Sequence, residues 1–335
     1  MSTFAGERED YLSQFHADGF VRSTHTLTDA DMVPLMTTFH ELVDEIYESP
    51  TEHGKEILDA FATNVPGREL NAKGFIERRR IGEVSIYEIG RSPATEDKDL
   101  MHYTPQTREH VRAMLGCRMP KLVRTLLDQC EAAYQDMAES LRPVVAAFDI
   151  EDVIFAPRGR EQDNIHLLRL LGYPGRPGAV EKGQAMTKAE LHFDRGKFTS
   201  TGWDSRPGLV GTPSQNGFLH QDFTSSDLAA HARNALKNPI EHKAGQAIIF
   251  AGAGYNHLPY AVRQNFGAED LPLFLHGFHD TQPELPRDTA VCFFNEQVGY
   301  QGIGSPEAYE TGYGDVLTWL LARERMMYGE PANSN

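Results

Sequence analysis

Apolar positions change their spacing near the middle of this chain. Behind Thr28-Asp29-Ala30-Asp31, a capping-box sequence, apolar residues recur three and four apart at Met32, Leu35, Met36, Phe39, Leu42, Val43 and Ile46, the period of an amphipathic helix. The same period returns between Thr107 and Phe148 through Val111, Met114, Leu115, Leu122, Val123, Leu126, Cys130, Ala133, Met137 and Leu141. Pro120 and Pro143 interrupt it, which predicts two or three helices. Gly74 to Gly90 reads instead as extended chain, with Phe75 and the basic run Arg78-Arg79-Arg80 before Gly82 and Val84, Ile86, Tyr87 and Ile89 after it. A hairpin is the expected form.

After Ile150 the pattern becomes short apolar runs punctuated by Gly, Pro, Asn and Asp: 165–171, 189–193, 209–211, 217–219, 247–250, 271–278 and 290–294. Ser226 to Leu236 predicts a short helix among these strands, and Ser305 to Met327 a closing helical tail. The fold class expected is therefore α+β. A helical N-terminal region at 1–150, carrying the hairpin, packs on a two-sheet jelly-roll (double-stranded β-helix) core at 151–335 closed by a C-terminal helix, the whole forming one unit.

Composition narrows the function classes. Hydrophobic residues make up 40% and charged residues 24% of the 335, which predicts a folded chain rather than a disordered one. Asp and Glu number 48 against 32 Lys and Arg, a net charge of -16 that repels phosphate backbones and anionic lipid, so neither nucleic acid nor membrane is an expected partner. No stretch approaches the ~20 apolar residues of a membrane span, and Met1 to Asp10 lacks the apolar core of a signal peptide, so a cytoplasmic location is expected. Cys117, Cys130 and Cys292 are too dispersed for a disulfide framework or a zinc site and read as buried thiols.

The candidate chemistry lies in the β-rich half. In Glu190-Leu191-His192-Phe193-Asp194 two ligand-type residues stand two apart, and on a strand such residues share a face at roughly 6–7 Å between Cα atoms. Two imidazoles and one carboxylate would leave a divalent iron with open coordination positions, as oxygen-activating iron(II) sites require. The second histidine should come from a later strand, and His257, after the apolar run 246–250 and a turn at Gly252 and Gly254, is placed for it. A rival pair exists in His220-Gln221-Asp222. By spacing alone either pair could equally be a strand edge or a turn.

Flanking residues favour the first pair through a family resemblance. His192-Phe193-Asp194-Arg195-Gly196-Lys197-Phe198-Thr199 followed by Pro207-Gly208-Leu209 resembles the HxDxGxxT…GL stretch of isopenicillin N synthase-like iron(II)/2-oxoglutarate oxygenases. Leu168 to Pro174 is similar to that family's LRxNYYP strand, Leu271-Pro272-Leu273-Phe274 to its LPFF strand, and Gly312 to Leu317 to its SYGDYL helix start; Asp18-Gly19-Phe20 and Gly74 to Gly90 resemble its N-terminal pattern. The resemblance implies iron(II) held by His192, Asp194 and His257, with 2-oxoglutarate and O2 as co-substrates and oxidation of a small molecule of amino-acid, peptide or natural-product type. An aspartate at 194, where halogenating relatives carry a small residue, implies hydroxylation, desaturation or cyclisation instead.

The resemblance breaks at the co-substrate. The family's RxS, about ten residues beyond the distal histidine, is missing when the chain is aligned on Leu271-Pro272, since Ala268 and Asp270 stand there. Arg263 is the nearest cation, up to roughly 20 Å from His257 along a straight strand unless Pro259 bends the path, and Arg169 and Arg287 are weaker substitutes. Of the Asn-x-Tyr pair only Tyr173 remains, with Leu171 in place of the asparagine. His276 and His279, spaced for opposite strand faces, read as structural, while Arg78-Arg79-Arg80 is either a solvated strand edge or a basic patch for a carboxylate substrate. The competing classes are an oxidase that takes all its electrons from its substrate, as isopenicillin N synthase does, a non-catalytic jelly-roll binding protein, and a zinc hydrolase.

Overall fold

A computed structural model describes residues 2–48, 51–61, 76–80, 83–84, 94–95, 97–175, 186–192, 194, 196–213, 234–235, 237–252, 271–295 and 297. Its strands, in chain order, are β1 (Val21–Thr24), β2 (Ile76–Arg79), β3 (Glu83–Val84), β4 (Ala94–Thr95), β5 (Lys98–Tyr103), β6 (His166–Tyr173), β7 (Met186–His192), β8 (Phe198–Asp204), β9 (Leu209–Pro213), β10 (Gln246–Ala251), β11 (Phe274–Asp280) and β12 (Arg287–Phe294). They form a seven-stranded sheet in the order β1-β10-β8-β12-β6-β5-β2 and a five-stranded sheet in the order β3-β4-β7-β11-β9. Pairing is antiparallel except between β4 and β7.

Strand alternation sorts the side chains of the larger sheet into two layers. Leu168, Leu170, Ala247, Ile249, Ala290 and Cys292 pack into one core with the helices, whereas Ile248 and Phe250 turn the other way and meet Leu209, Phe274 and Phe278 of the smaller sheet. The order is thus helix layer, large sheet, small sheet, with the jelly-roll interior between the two sheets. The helices are α1 (Ser2–Asp18), α2 (Asp29–Tyr47), α3 (Glu52–Phe61), α4 (Thr107–Leu115), α5 (Lys121–Ala147) and α6 (Glu151–Ile154). Among them no helix is long and apolar enough to cross a membrane.

The helical period is realised as expected in α2, where the Asp31 carboxylate accepts from the Thr28 backbone N–H at 3.0 Å and from its hydroxyl at 2.8 Å. Pro120 does separate two helices, standing just before α5. Pro143 does not. It lies close to the end of α5, where one lost backbone hydrogen bond is offset by burial of Leu141, Val144 and Val145 around it. The helix α1 falls outside the two stretches in which the apolar spacing predicts one.

The hairpin expected over Gly74 to Gly90 is corrected. β2 pairs with β5 and β3 with β4, so the two extended pieces join different sheets. Strands β1, β2 and β5 all come from the first 150 residues and complete the large sheet. Residues 217–219 and 305–327, and 226–236 apart from 234–235, lie outside the described residues, as do His220 and Asp222.

Candidate metal centre

The last residue of β7 is His192, and its register partner on β11 is His276. Asp194 follows in the connection to β8 and is buried. Its Oδ2 accepts a 2.6 Å hydrogen bond from the Thr199 hydroxyl and faces Nε2 of His276 at 3.5 Å. The other ring nitrogen of His276 lies 3.0 Å from the Phe274 carbonyl. A carbonyl only accepts, so Nδ1 carries the proton and Nε2 directs a lone pair towards Asp194. Two acceptors turned towards each other repel unless a proton or a metal ion lies between them; 3.5 Å is long for a charge-assisted hydrogen bond and suits two donor atoms each about 2 Å from one ion.

Backbone packing fixes the connection that bears Asp194. The Lys197 N–H donates to the Phe294 carbonyl at 2.9 Å and the Gly252 N–H to the Lys197 carbonyl at 3.1 Å. A Cβ at residue 252 would fall 2.3 Å from the Gly196 carbonyl oxygen, so only glycine allows this approach.

One layer further along the interior stands Arg287, fully buried at the start of β12. Its Nε donates to Asp204 Oδ1 at 2.8 Å, its Nη2 pairs with Asp204 Oδ2, and its guanidinium carbon lies 4.0 Å over the Phe278 ring. Nη1 is buried without a hydrogen-bond partner. Thr289, two residues on, donates its hydroxyl to the Trp203 carbonyl at 3.0 Å. Tyr173, buried, is the register partner of Arg287 on β6.

No protein-family model matches this chain, and no curated protein does. Solved structures do. A protein from Caulobacter crescentus assigned to the 2OG-Fe(II) oxygenase family is 16% identical over 95% of this chain and 95% of its own, with a TM-score of 0.55. The fold is that of the 2OG-Fe(II) oxygenases. An oxygenase-assigned protein from Shewanella oneidensis (15% identity, 93% and 94% coverage, TM-score 0.52) shares it. So does a full-length Neurospora crassa protein solved in complex with alpha-KG and thymine (17% identity, 94% and 90% coverage, TM-score 0.51).

Within this oxygenase fold the expected residues fare differently. The structure places His192 and Asp194 at the end of β7 and just beyond it; His257 and Arg263 lie outside the described residues. His276 is corrected from a structural residue to one facing Asp194. Neither its strand face nor its partner could be read from a three-residue offset to His279, because the register of β11 on β7 shifts between His276 and Phe278 and again before His279. The basic run is corrected too. Arg78 contacts Asp44 at 2.5 Å, Glu48 at 3.1 Å and Asp99 at 3.0 Å, and Arg80 contacts Asp99 at 2.9 Å, so these cations join α2 and β5 to the edge of the large sheet.

Proposed function

We propose that this chain is an iron(II)- and 2-oxoglutarate-dependent oxygenase acting on a small molecule, with His192, Asp194 and His276 as iron ligands. The observation that carries the reading is the His276 Nε2 lone pair facing Asp194 Oδ2 at 3.5 Å, with His192 opposite His276 in the strand register. Nitrogen and oxygen donors in this ratio suit iron(II) with open positions. His276 takes the role the family resemblance implied for His257.

Moving the third ligand restores the missing pattern. Arg287-Asp288-Thr289 begins eleven residues after His276 (287 − 276) and reads as RxS with threonine for serine. The Phe293-Phe294-Asn295 that follows then occupies the place assigned to Leu271-Pro272-Leu273-Phe274 on sequence alone. Arg287, with Nη1 buried and unpartnered, is proposed to hold the far carboxylate of 2-oxoglutarate, beside Tyr173. Asp204 fixes the guanidinium plane through two contacts and leaves that nitrogen for the ligand.

Bound iron(II) with 2-oxoglutarate would supply activation of O2 for oxidation of an unactivated bond. The chain's own part is positioning. Thr199 holds Asp194 by its hydrogen bond, the Phe274 carbonyl sets the His276 tautomer, and Phe250, Phe274 and Phe278 form a buried apolar cluster between the sheets.

Anaerobic addition of iron(II) and 2-oxoglutarate tests this. A visible charge-transfer band is expected in wild type and in His257→Ala, and is lost in His192→Ala and His276→Ala. A wild type without the band sinks the co-substrate assignment. A band kept in His276→Ala and lost in His257→Ala returns the third ligand to His257.

A further inference from the structure

Arg169 occupies the middle of β6, an interior strand of the large sheet, between His102 of β5 and Val291 of β12 in register. It is the one residue of β6 that is partly exposed; the other seven are buried. Leu168 and Leu170 on either side pack towards the helices, so Arg169 turns the opposite way, into the jelly-roll interior. Its Nε donates to Nε2 of His102 at 2.8 Å, and its guanidinium carbon lies 4.7 Å over the ring of Phe293. Phe293 likewise keeps accessible surface within the otherwise buried run from Thr289 to Phe294. A cation and an aromatic ring, stacked and both partly exposed, thus share the interior face of the large sheet.

The charge of this arginine is poorly compensated. Burial pulls its pKa down, opposed by the charge of Asp194 and by Tyr173, yet guanidinium remains protonated in proteins. Among the described residues no carboxylate lies within 4 Å of it, and its hydrogen-bond partner is an imidazole kept neutral by burial and by the charges of Arg169 and Lys98. One neutral partner for five donors leaves the planar fork open, and a cation largely shielded from bulk water in that state is costly until an anion reaches it. Asp194 cannot fill that role while its charge is directed at a metal.

Arg287 and Arg169 are separated along the sheet. Arg287 pairs with Tyr173 and Arg169 with Val291, four residues apart on β6, or roughly 13 Å. We propose that Arg169, held by His102 and stacked on Phe293, binds the carboxylate of the substrate beside the metal centre, and that the substrate is an acid with an apolar or aromatic group next to its carboxylate. This rests on the oxygenase reading above and names the substrate class of that same site.

The probes are matched acid and amide pairs: benzoate with benzamide, 3-phenylpropionate with its primary amide, and 4-phenylbutyrate with its primary amide. Binding is read in two ways, as perturbation of the charge-transfer band of the anaerobic iron(II)–2-oxoglutarate protein and as thermal stabilisation of the metal-free protein. For at least one pair the acid is expected to bind about tenfold or more tightly than the amide. Arg169→Gln should abolish that preference while keeping the band, and Arg169→Lys, which keeps the charge and loses the fork, should retain part of it. Equal binding of acid and amide in every pair, or no acid binding at all, overturns the proposal, and this comparison needs only wild type should Arg169→Gln fail to fold. Loss of the band in folded Arg169→Gln assigns Arg169 to the co-substrate and overturns it as well. If wild type shows no band, the oxygenase reading fails separately, and the acid preference of the metal-free protein still decides whether Arg169 binds carboxylates.

Discussion

Thr199 donates its hydroxyl to Asp194 at 2.6 Å, with both side chains away from solvent. Such partners orient a ligating carboxylate, and their loss typically weakens metal binding about 10–100-fold. Thr199→Val, which keeps the shape of the side chain, should therefore lower iron(II) affinity by that factor in competition with a chromophoric chelator, with little loss of thermal stability. Arg287 makes a separate prediction. A charge-assisted hydrogen bond is worth about 1.5–3 kcal/mol, so Arg287→Gln should raise the 2-oxoglutarate dissociation constant about 10–100-fold and leave iron(II) affinity unchanged. A simultaneous loss of both affinities would mean that Arg287 supports the sheet rather than the ligand. The sequence names both, Thr199 as the last position of the HxDxGxxT stretch and Arg287 as a weaker substitute for the missing arginine, but the partner of each is not legible there, because a threonine and an arginine in strands have many ordinary roles. Arg287 could have been found by reading RxS as RxT and measuring back eleven residues to a histidine.

At the scale of elements, the two sheets are joined by a small apolar cluster that runs beside the proposed metal centre. Phe250 of β10 is fully buried and touches the rings of Phe274 (centroids 5.1 Å apart) and His276 (4.4 Å) on β11. Phe250→Ala should cost about 3–5 kcal/mol of stability by denaturant titration and should also loosen His276, visible as weaker iron(II) binding. The helix layer is tied to the large sheet by charge as well as by their shared apolar core. His40 of α2 meets Asp288 at 2.8 Å and Asp99 at 3.8 Å. Burial alone would lower its pKa, but these carboxylates outweigh that and raise it to about 9 from an ordinary 6.5. His40 therefore stabilises the fold fully below pH 6.5, and that contribution is lost as the pH rises through 9. Denaturation midpoints should fall across this interval in wild type and fall less in His40→Gln. The periodicity of α2 was legible, whereas its docking through His40 and Arg78 onto β5 was not, since the pairing residues Asp99 and Asp288 lie far away in sequence.

At the scale of the whole molecule, acid should unfold the protein through a buried imidazole. His166 donates from Nε2 to the Ile154 carbonyl at 2.9 Å and accepts at Nδ1 from the Tyr134 hydroxyl at 2.9 Å, so it is fixed in the neutral form between α5, α6 and the sheet. Burial first, and the charge of Arg142 with it, lower its pKa to about 3 from 6.5. Its contribution is present above pH 6.5 and lost as the pH falls through 3, opposite in sense to that of His40, so a stability profile should peak near pH 6.5. A profile still rising at pH 9 would contradict the His40 assignment, and one that does not fall from pH 6.5 towards pH 3 would contradict the His166 assignment. The sequence by itself determined the change from helical to strand spacing and the α+β jelly-roll class, because a side-chain period is local and survives without knowledge of neighbours; it put His192 and Asp194 forward only through the flanking residues of a family resemblance. Only the tertiary structure decided which histidine stands opposite His192, that Arg169 turns inward with Phe293 beneath it, and that Arg78 of the basic run pairs with Asp44, Glu48 and Asp99. The first two depend on register between strands more than eighty residues apart, and hydrogen-bonded ladders of backbone carry no residue-specific label for their partner; the third depends on docking of α2 against the sheet edge.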